Sequence, residues 1–577
     1  MAIASRPPTA AQPILFAPNW ERDDWRLWEL VSATGAGMLC ETAERMLEDV
    51  ADSDDPVHVK VAFSLSLLLD LLKAGANAWT RDSRLYVQWP DWNSSEGRGF
   101  AQAAMNAAKD LRPLTQKELA RVSPLFARDL EGHELASVLG EAEFRLVPAT
   151  AIHPTGASYQ DAFNAALRYW SMPYRGRSGR MKRFVVTATH KLLGPHPIVA
   201  GILELGDEAP FCQWRDDLLG LNLASFVRWI NGVDRNSVQR IADRFRDIRR
   251  HLRSTSDGCN LSKISAANLV KRASELEASS QGRSTVRDDQ RELLKDRKRI
   301  AYGLRLAKGE AAIRSYIQTG DITLHTKWLY DGVRGIHDLL IPRVHLEATV
   351  CGAVPPFATG LGGKLVVAFL SHPFVLSATQ GSESELLNWS FKYKSLAQEL
   401  PSVGMLCITT KGLYANHAAI YTRSEMPGEV GPLRFRHLAN TDGTTTTLIG
   451  ERTVRFAKQA LIKPEGSPSR VSTLYGSGGA KRHRFIEAAT ISVGLPARTG
   501  SAGIQRPVYG TLFVSNAPAV CWLNDSPSWL VARDMSAESF SDAAASLWRR
   551  KWLARAVDRV ADYALIPSLP SFIRTAD

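Results

Sequence analysis

The chain has 577 residues, of which 45% are apolar and 23% charged, and it carries a net charge of +12. This length predicts two to four domains, and the apolar fraction is that of a globular protein. Six cysteines without a C-x-x-C pair exclude a zinc ribbon and a dithiol redox site, and they fit a reducing compartment. The positive charge indicates an anionic partner, nucleic acid first, and the alternative is a basic surface that binds nothing.

The N-terminal part predicts no signal peptide and no membrane-spanning segment. The first residues, MAIASRPPTAAQP, lack a charged stretch followed by an apolar core. The most apolar segment, VAFSLSLLLDLL at 61–72, is interrupted by Asp70 and is too short to cross a bilayer. We therefore expect a cytoplasmic protein without a membrane partner.

Helical and strand patterns divide the chain into six predicted segments. Leucines 65, 68, 69 and 72 recur at helical spacing, whereas RFVVTATH and PIVAGILELG have the β-rich composition of strands. The fold class is α/β (α+β), with a mixed-sheet core. The segments are a flexible arm (1–20), a mostly helical N-terminal domain (21–140), the first part of the α/β core (143–233), a basic helical insertion (234–330), the second part of the core (340–516) and a C-terminal helical segment (517–577).

The insertion concentrates positive charge, with 19 Lys and Arg against 11 Asp and Glu in residues 234–310. Val238, Ile241, Phe245, Ile248 and Leu252 form the apolar stripe of one helix. A second basic cluster, RGRSGRMKRF, lies at 175–184. Since basic side chains release counterions from phosphates, both clusters predict nucleic-acid contact; the alternative is a solvated face whose aspartates balance the charge. The expected contact residues are Arg177, Arg180, Lys182, Arg183, Arg240, Arg244, Arg249, Arg250, Lys295, Arg297, Lys298 and Arg299.

A glycine-rich segment, CGAVPPFATGLGGKLVVAF at 351–369, lies between a predicted strand and a predicted helix. Glycines and free N–H groups at a helix start can bind phosphate. The P-loop pattern fails because Ala358 takes the place of its first glycine and Leu365 follows Lys364. The dinucleotide and kinase patterns fail because Leu365 stands where their third glycine is required.

The pattern that fits is the x-x-G-x-G/A turn of acyl-coenzyme A transferases of the GNAT type, which residues 358–362 resemble. In that family the turn amides grip the coenzyme pyrophosphate, and the sheet splays between the two flanking strands, here 345–353 and 402–410. The resemblance implies a GNAT-like core and acyl-CoA as cofactor, held by Gly360, Gly362, Gly363 and Lys364. The alternative is a tight turn that packs the following helix against the sheet.

A broader resemblance covers residues 65–516 and is densest from 343 to 516. ATVCGAVPPFATGLGGKLVVAFLSHPFV, ITTKGLYANHAAIY (408–421), RVSTLYGSGGAKRHRFIEAATISVGL (470–495) and RPVYGTLFVSN (506–516) follow one another as in the DruA family of the Druantia anti-phage systems. CQWRDDLLGL (212–221) is similar more loosely. The sequence departs from the family at Asn416 and His417, and at the YGSG core of the third segment.

The resemblance implies a component of an antiviral defence system that contacts nucleic acid and works with other proteins of that system, including a large helicase-like one. An acyl-CoA-dependent transferase acting on nucleic acid or protein is the alternative. A scaffold that recruits the helicase-like partner is a second alternative. The family supplies no catalytic residue that transfers to this chain.

The remaining polar residues predict no metal site. Histidines 190, 345 and 372 border the α/β region without paired spacing, and we expect them to be satisfied within the core or loops. Carboxylates Glu204, Glu347 and Asp442 lie near strand ends, where exposed or salt-bridged groups are expected.

Overall fold

A computed structural model describes the chain over residues 14–19, 29–30, 32–33, 36–73, 76–82, 84–88, 114–169, 181–207, 212–251, 268, 288–360, 362–379, 404–412, 419–441, 449–461, 479–496, 499, 506–572 and 575–576. Over 288–299 and 479–483 the description covers the backbone only. Among the helices of these ranges, none combines the length and the apolar character that a bilayer span requires.

The strands of the described residues are β1 (Ile14–Leu15), β2 (Asn77–Arg81), β3 (Arg84–Gln88), β4 (Leu114–Thr115), β5 (Glu143–Pro148), β6 (Met181–Thr189), β7 (Ile198–Gly206), β8 (His345–Ala353), β9 (Cys407–Lys411), β10 (Arg436–Asn440), β11 (Pro507–Leu512) and β12 (Thr575–Ala576).

The α-helices of these residues are α1 (Ala36–Val50), α2 (Pro56–Lys73), α3 (Gln116–Val122), α4 (Gly132–Glu141), α5 (Tyr159–Tyr169), α6 (Gln213–Leu219), α7 (Leu223–Ile230), α8 (Arg235–His251), α9 (Asp288–Thr319), α10 (Thr326–Val344), α11 (Gly362–Ala368), α12 (Pro373–Leu376), α13 (Ala419–Arg423), α14 (Glu451–Ala460), α15 (Gly479–Ser492), α16 (Ala517–Leu523), α17 (Ala537–Lys551), α18 (Val557–Ala561) and α19 (Leu569–Phe572).

A seven-stranded mixed sheet forms the centre, in the order β10-β11-β9-β8-β7-β6-β5. Strands β5 to β8 are sequential and antiparallel, β8 and β9 are parallel, and β9, β11 and β10 are again antiparallel. All nine residues of β7 are buried, which is expected of a central strand covered on both faces. The prediction of a mixed α/β fold is confirmed.

Helices cover both faces of this sheet. On one face α4, α11 and α17 pack with Leu139, Val366 and Trp548 in one apolar cluster. On the other face α3 and α5 bury Phe163 against Val185. Residues 114–141, predicted within an N-terminal domain, therefore belong to the packing of the sheet.

The helices between β7 and β8 form a third apolar cluster, which includes Trp522 of α16. Four residues of the predicted stripe, Val238, Ile241, Phe245 and Ile248, lie on α8 and are buried in this cluster, so the helix prediction is confirmed for them. Leu252 lies outside the described residues. Helices α9 and α10 cross where Gly309 and Gly332 meet, and the ring of Phe245 lies against both glycines.

The N-terminal helices pack against a segment far along the chain. Helices α1 and α2 share an apolar cluster with α14 and α15, which lie between β10 and β11. The side chain of Asp70 accepts from the backbone N–H of Gly450 at 2.7 Å, just before α14 begins. Residues 14–19 fall within the predicted flexible arm, yet Ile14 and Leu15 pair with β3 and Phe16 is fully buried. Residues 1–13 lie outside the described residues.

The C-terminal segment is largely helical, as predicted, but it is broken. The closing helix expected over 536–560 ends at Lys551, and a 3-10 turn over Leu553–Arg555 precedes α18. The ring of Trp548 packs edge-on against Phe144 of β5, with ring centroids 6.0 Å apart. This helix is therefore part of the layer that covers the sheet.

Candidate functional site

The pairing of the two parallel strands stops before β8 ends. It runs from His345 with Cys407 to Ala348 with Thr410. Strand β8 then continues to Ala353 along β7, whereas β9 ends at Lys411. Five residues of β8 thus extend beyond the last partner in β9, and the glycine-rich segment follows directly. The splay of the sheet that the resemblance to acyl-CoA transferases implies stays a prediction.

Three polar side chains lie where this pairing stops. The hydroxyls of Tyr421, on α13, and Thr410 are hydrogen-bonded, and Thr410 donates to the carbonyl of Ala348 at 2.8 Å. Burial, followed by the nearby Cys351, raises the pKa of Tyr421. Burial also raises the pKa of the Cys351 thiol. Tyr421 therefore holds its proton at neutral pH, and Cys351 is a poor nucleophile.

Sequence reasoning did not single out Tyr421. It is the last residue of ITTKGLYANHAAIY, one of the segments whose resemblance to the DruA family is described above. That match was the available signal. The contact with β8 was not available, because it depends on β9 lying beside β8.

The glycine-rich segment forms a compact turn. The amides of Ala358, Thr359 and Gly360 donate to Val354, Pro356 and Phe357, and the amide of Gly362 also donates to Phe357. A Cβ at Gly360 would collide with Leu139, and one at Gly362 would lie 2.7 Å from the carbonyl oxygen of Phe357. These contacts favour the tight-turn alternative for Gly360 and Gly362, because their amides are already paired.

The outer end of the turn is basic. A Cβ at Gly363 would meet only the end of the Ile420 side chain, at 2.9 Å. Lys364 Nζ lies 3.8 Å from the ring centroid of Trp552, and Lys551 Nζ lies 5.6 Å from it. Burial, followed by the charges of Arg423 and Lys551, lowers the pKa of Lys364. Of the predicted cofactor residues, Gly363 and Lys364 thus lie at the outer end of the turn, close to the positive charges of Arg423 and Lys551.

Several predicted nucleic-acid residues are engaged with carboxylates. Arg183 Nε donates to the fully buried Glu204 at 2.7 Å. The other three pairs are Arg240 with Asp525 at 2.6 Å, Arg249 with Glu310 at 3.1 Å, and Arg250 with Asp247 at 2.9 Å. These pairs reduce the charge that α8 can offer to phosphates, as the balanced-face alternative expected.

The other predicted contact residues divide into three groups. Lys182 is half-buried in β6, and Arg244 is half-buried on α8. Lys295, Arg297, Lys298 and Arg299 lie on α9, in the part where only the backbone is described. Arg177 and Arg180 lie outside the described residues. The structure therefore brings no continuous basic surface together from the described side chains.

A buried charged network links α6 to α10. Arg215 Nε donates to Asp216 at 2.8 Å, and His337 Nε2 lies 3.1 Å from the second oxygen of that carboxylate. His337 Nδ1 lies 3.2 Å from Asp338, which is also 3.5 Å from Arg305. The side chains of Arg215 and Asp216 are 0% and 7% exposed. The network therefore stabilises the packing of α6 against α10 and is not a substrate site.

We expect the contribution of this network to the free energy of unfolding to fall as pH rises above neutrality. Burial opposes the charge on His337, but hydrogen bonds to Asp216 and Asp338 outweigh it and raise the pKa of His337 above 6.5. The stabilisation is therefore complete below pH 6.5 and is lost as pH passes through the raised pKa. Urea unfolding from pH 6 to 9 checks this: the advantage of wild type over His337→Gln should shrink with pH. An advantage that stays constant would contradict it.

The remaining carboxylates and histidines have structural partners. Glu347 pairs with Lys411 at 3.2 Å, and Asp442 lies outside the described residues. His345 contacts the hydroxyl of Thr409 at 2.9 Å, and burial lowers the pKa of His372 to about 4. Within the described part of the chain, no group of three or more His, Cys, Asp or Glu side chains is placed to hold a metal ion.

Comparisons of the chain with models of known protein families, with curated proteins and with solved structures gave no match.

Proposed function

We propose that this chain is a component of a Druantia-type antiviral defence system, built on a GNAT-like acyl-CoA transferase core. The segments that resemble the DruA family support the first part of the proposal. Segment 343–354 contains β8, 408–421 covers β9 from its second residue and the first three residues of α13, and 506–516 contains β11. These three strands are neighbours at the centre of the sheet, so the resemblance concentrates where the pairing of β8 with β9 stops.

One observation carries the transferase proposal. A glycine-rich turn and helix α11 connect the two parallel strands, and those strands stop pairing at Ala348 and Thr410 while β8 runs on. In an open sheet, ligands bind beyond the carboxyl ends of parallel strands, at the point where the connections change direction. The ends of β8 and β9 meet that condition.

The residues at this point can take defined roles in acyl transfer. Gly363, Lys364 and Arg423 are placed to contact the phosphates of an acyl-CoA, because the cations lie together at the outer end of the turn. The acceptor forms a bond to the thioester carbon and releases a proton, while the carbon–sulfur bond breaks and the coenzyme leaves as a thiolate that takes up a proton. We assign the donation to Tyr421, whose hydroxyl is protonated at neutral pH, and the proton released by the acceptor restores that hydroxyl.

We expect wild-type protein to bind acetyl-CoA and Gly363→Glu to bind it at least about tenfold more weakly, a loss of about 1.4 kcal/mol. The new carboxylate would repel phosphate at the edge of the turn, and its Cβ displaces only a flexible side-chain end. Isothermal calorimetry measures both affinities. Gly140→Glu is the matched control and should bind like wild type, because Gly140 is an exposed position of α4 and its Cβ would meet nothing within 4 Å. Equal affinity of the Gly363 variant would contradict the proposed site.

We also propose nucleic-acid contact through 175–184 and Lys295, Arg297, Lys298 and Arg299, with a helicase-like protein as partner. The net charge of +12 favours contact with an anionic partner. Because the described arginines of α8 are mostly paired with carboxylates, we assign the contact to the other two basic clusters.

For this contact we expect affinity for a DNA duplex that falls steeply with salt. A quadruple variant with Gln at positions 295 and 297–299 should bind DNA more weakly. The slope of its log affinity against log salt concentration should be shallower by about 0.9 for each lost phosphate contact. Arg240→Gln should leave the slope unchanged, because Asp525 already occupies that arginine. Mobility shift across a salt series measures the slopes. If the quadruple variant has the wild-type slope, these four residues do not contact phosphates.

A further inference from the structure

Arg244 is a largely buried cation that has no carboxylate within salt-bridge distance among the residues that the structure describes. It lies on α8, and its Nε and Nη1 atoms are inaccessible to solvent and make no hydrogen bond in the described structure. A buried guanidinium without acceptors is unfavourable, because it loses water and gains no partner. Burial accordingly lowers the pKa of Arg244.

Most of the neighbouring arginines have a carboxylate partner, and Arg235 at the start of the helix donates to the carbonyl of Ile317. Arg240, Arg246, Arg249 and Arg250 of the same helix each have a carboxylate within 4.0 Å. Arg244 makes no such pair in the described part of the chain. Its position, and not the composition of the helix, therefore leaves it without a partner.

The groups around Arg244 do not neutralise it. Asp525 is the nearby carboxylate, but it accepts from Arg240 at 2.6 Å and acts on Arg244 through charge alone. Cys521 of α16 is also close, and burial raises the pKa of its thiol to about 12, so the thiol is uncharged at neutral pH. Two cations thus share one carboxylate at the junction of α8 and the end of α16.

We propose that Arg244 anchors a site for a small oxyanion, a phosphate or carboxylate group, at this junction. A guanidinium presents several N–H donors in a fixed plane that matches the oxygens of such groups. Arg240, one helical turn away, is already paired with Asp525 at 2.6 Å, so Arg244 is the residue that would bind the anion. The residue as a whole is half-buried, although its Nε and Nη1 atoms are not accessible to solvent. The proposal is independent of acyl transfer at the strand ends.

Thermal unfolding at constant ionic strength tests the proposal, with sodium phosphate or sodium acetate replacing sodium chloride in separate titrations. We expect the Tm of wild type to rise saturably with one of the two oxyanions; phosphate alone indicates a phosphoryl group and acetate alone a carboxylate. Arg244→Leu should lose that response and should match or exceed the Tm of wild type in chloride, since an unpaired buried charge is removed. Arg228→Leu changes an exposed arginine on α7 and should keep the response.

A wild-type Tm that is insensitive to both oxyanions would overturn the proposal. So would an Arg244→Leu variant that responds as wild type does. If that variant fails to fold, the phosphorus-31 signal of inorganic phosphate can be measured instead. We expect wild type to broaden this signal and Arg244→Lys to leave it sharp. Equal broadening by both proteins would also overturn it.

Discussion

Replacing Asp216 by Ala is expected to lower the free energy of unfolding by about 3–5 kcal/mol, the usual cost of breaking a buried ion pair from one side. Arg215 is fully buried and would keep its charge without the carboxylate that it contacts at 2.7 Å. His337 would also lose a partner at 3.1 Å. Urea or thermal unfolding measures the loss directly.

The adjacent Asp217 provides a matched control in the same helix. Its side chain is 40% exposed and lies 3.7 Å from an exposed arginine, so Asp217→Ala should cost about 0–1 kcal/mol. Adding Arg215→Met to Asp216→Ala should recover part of the loss, because the unpaired charge is then removed as well. If the double variant is less stable than Asp216→Ala alone, unpaired charge is not the cause.

Gly332→Ala is the second change for which we expect a large effect, a loss of about 1–3 kcal/mol that should fall at the upper end of that range. A Cβ at Gly332 would run into the backbone of Gly309, and one at Gly309 would lie 2.7 Å from Gly332 Cα. Because the obstacle is backbone and not a side-chain end, α9 and α10 would have to move apart, and Phe245 would lose its contact with both.

Unfolding of Gly140→Ala is the control for that change. Gly140 lies on an exposed part of α4 with nothing within 4 Å of its would-be Cβ, so alanine should be neutral or stabilise by about 0.5–1 kcal/mol. Equal stability of Gly332→Ala and wild type would show that the helix crossing tolerates a methyl group.

Local patterns predicted local structure well. The apolar stripe of α8 repeats within a single helix, and β8, predicted at 343–354, spans His345–Ala353. The turn and helix of the glycine-rich segment also appear where the sequence places them. In each case the determining residues are close together in the chain.

Predictions that depended on distant residues were less complete. Asp70, which interrupts an apolar helix, stabilises the start of α14 about 380 positions later. The arginines of α8 looked available because Asp525 and Glu310, their partners, lie far along the chain. Tyr421 reaches Cys351 only because β9 is parallel to β8. Spacing within a segment carries no information on such contacts.

The most direct test of the transferase proposal is hydrogen exchange of the whole chain with and without saturating acetyl-CoA. We predict slower exchange in the part of β8 beyond Ala348 and in the Gly363–Lys364 edge, with Gly140 and its helix unchanged. Exchange that is the same at the strand ends with and without the ligand, or slowed only elsewhere, would contradict a ligand site between β8 and β9.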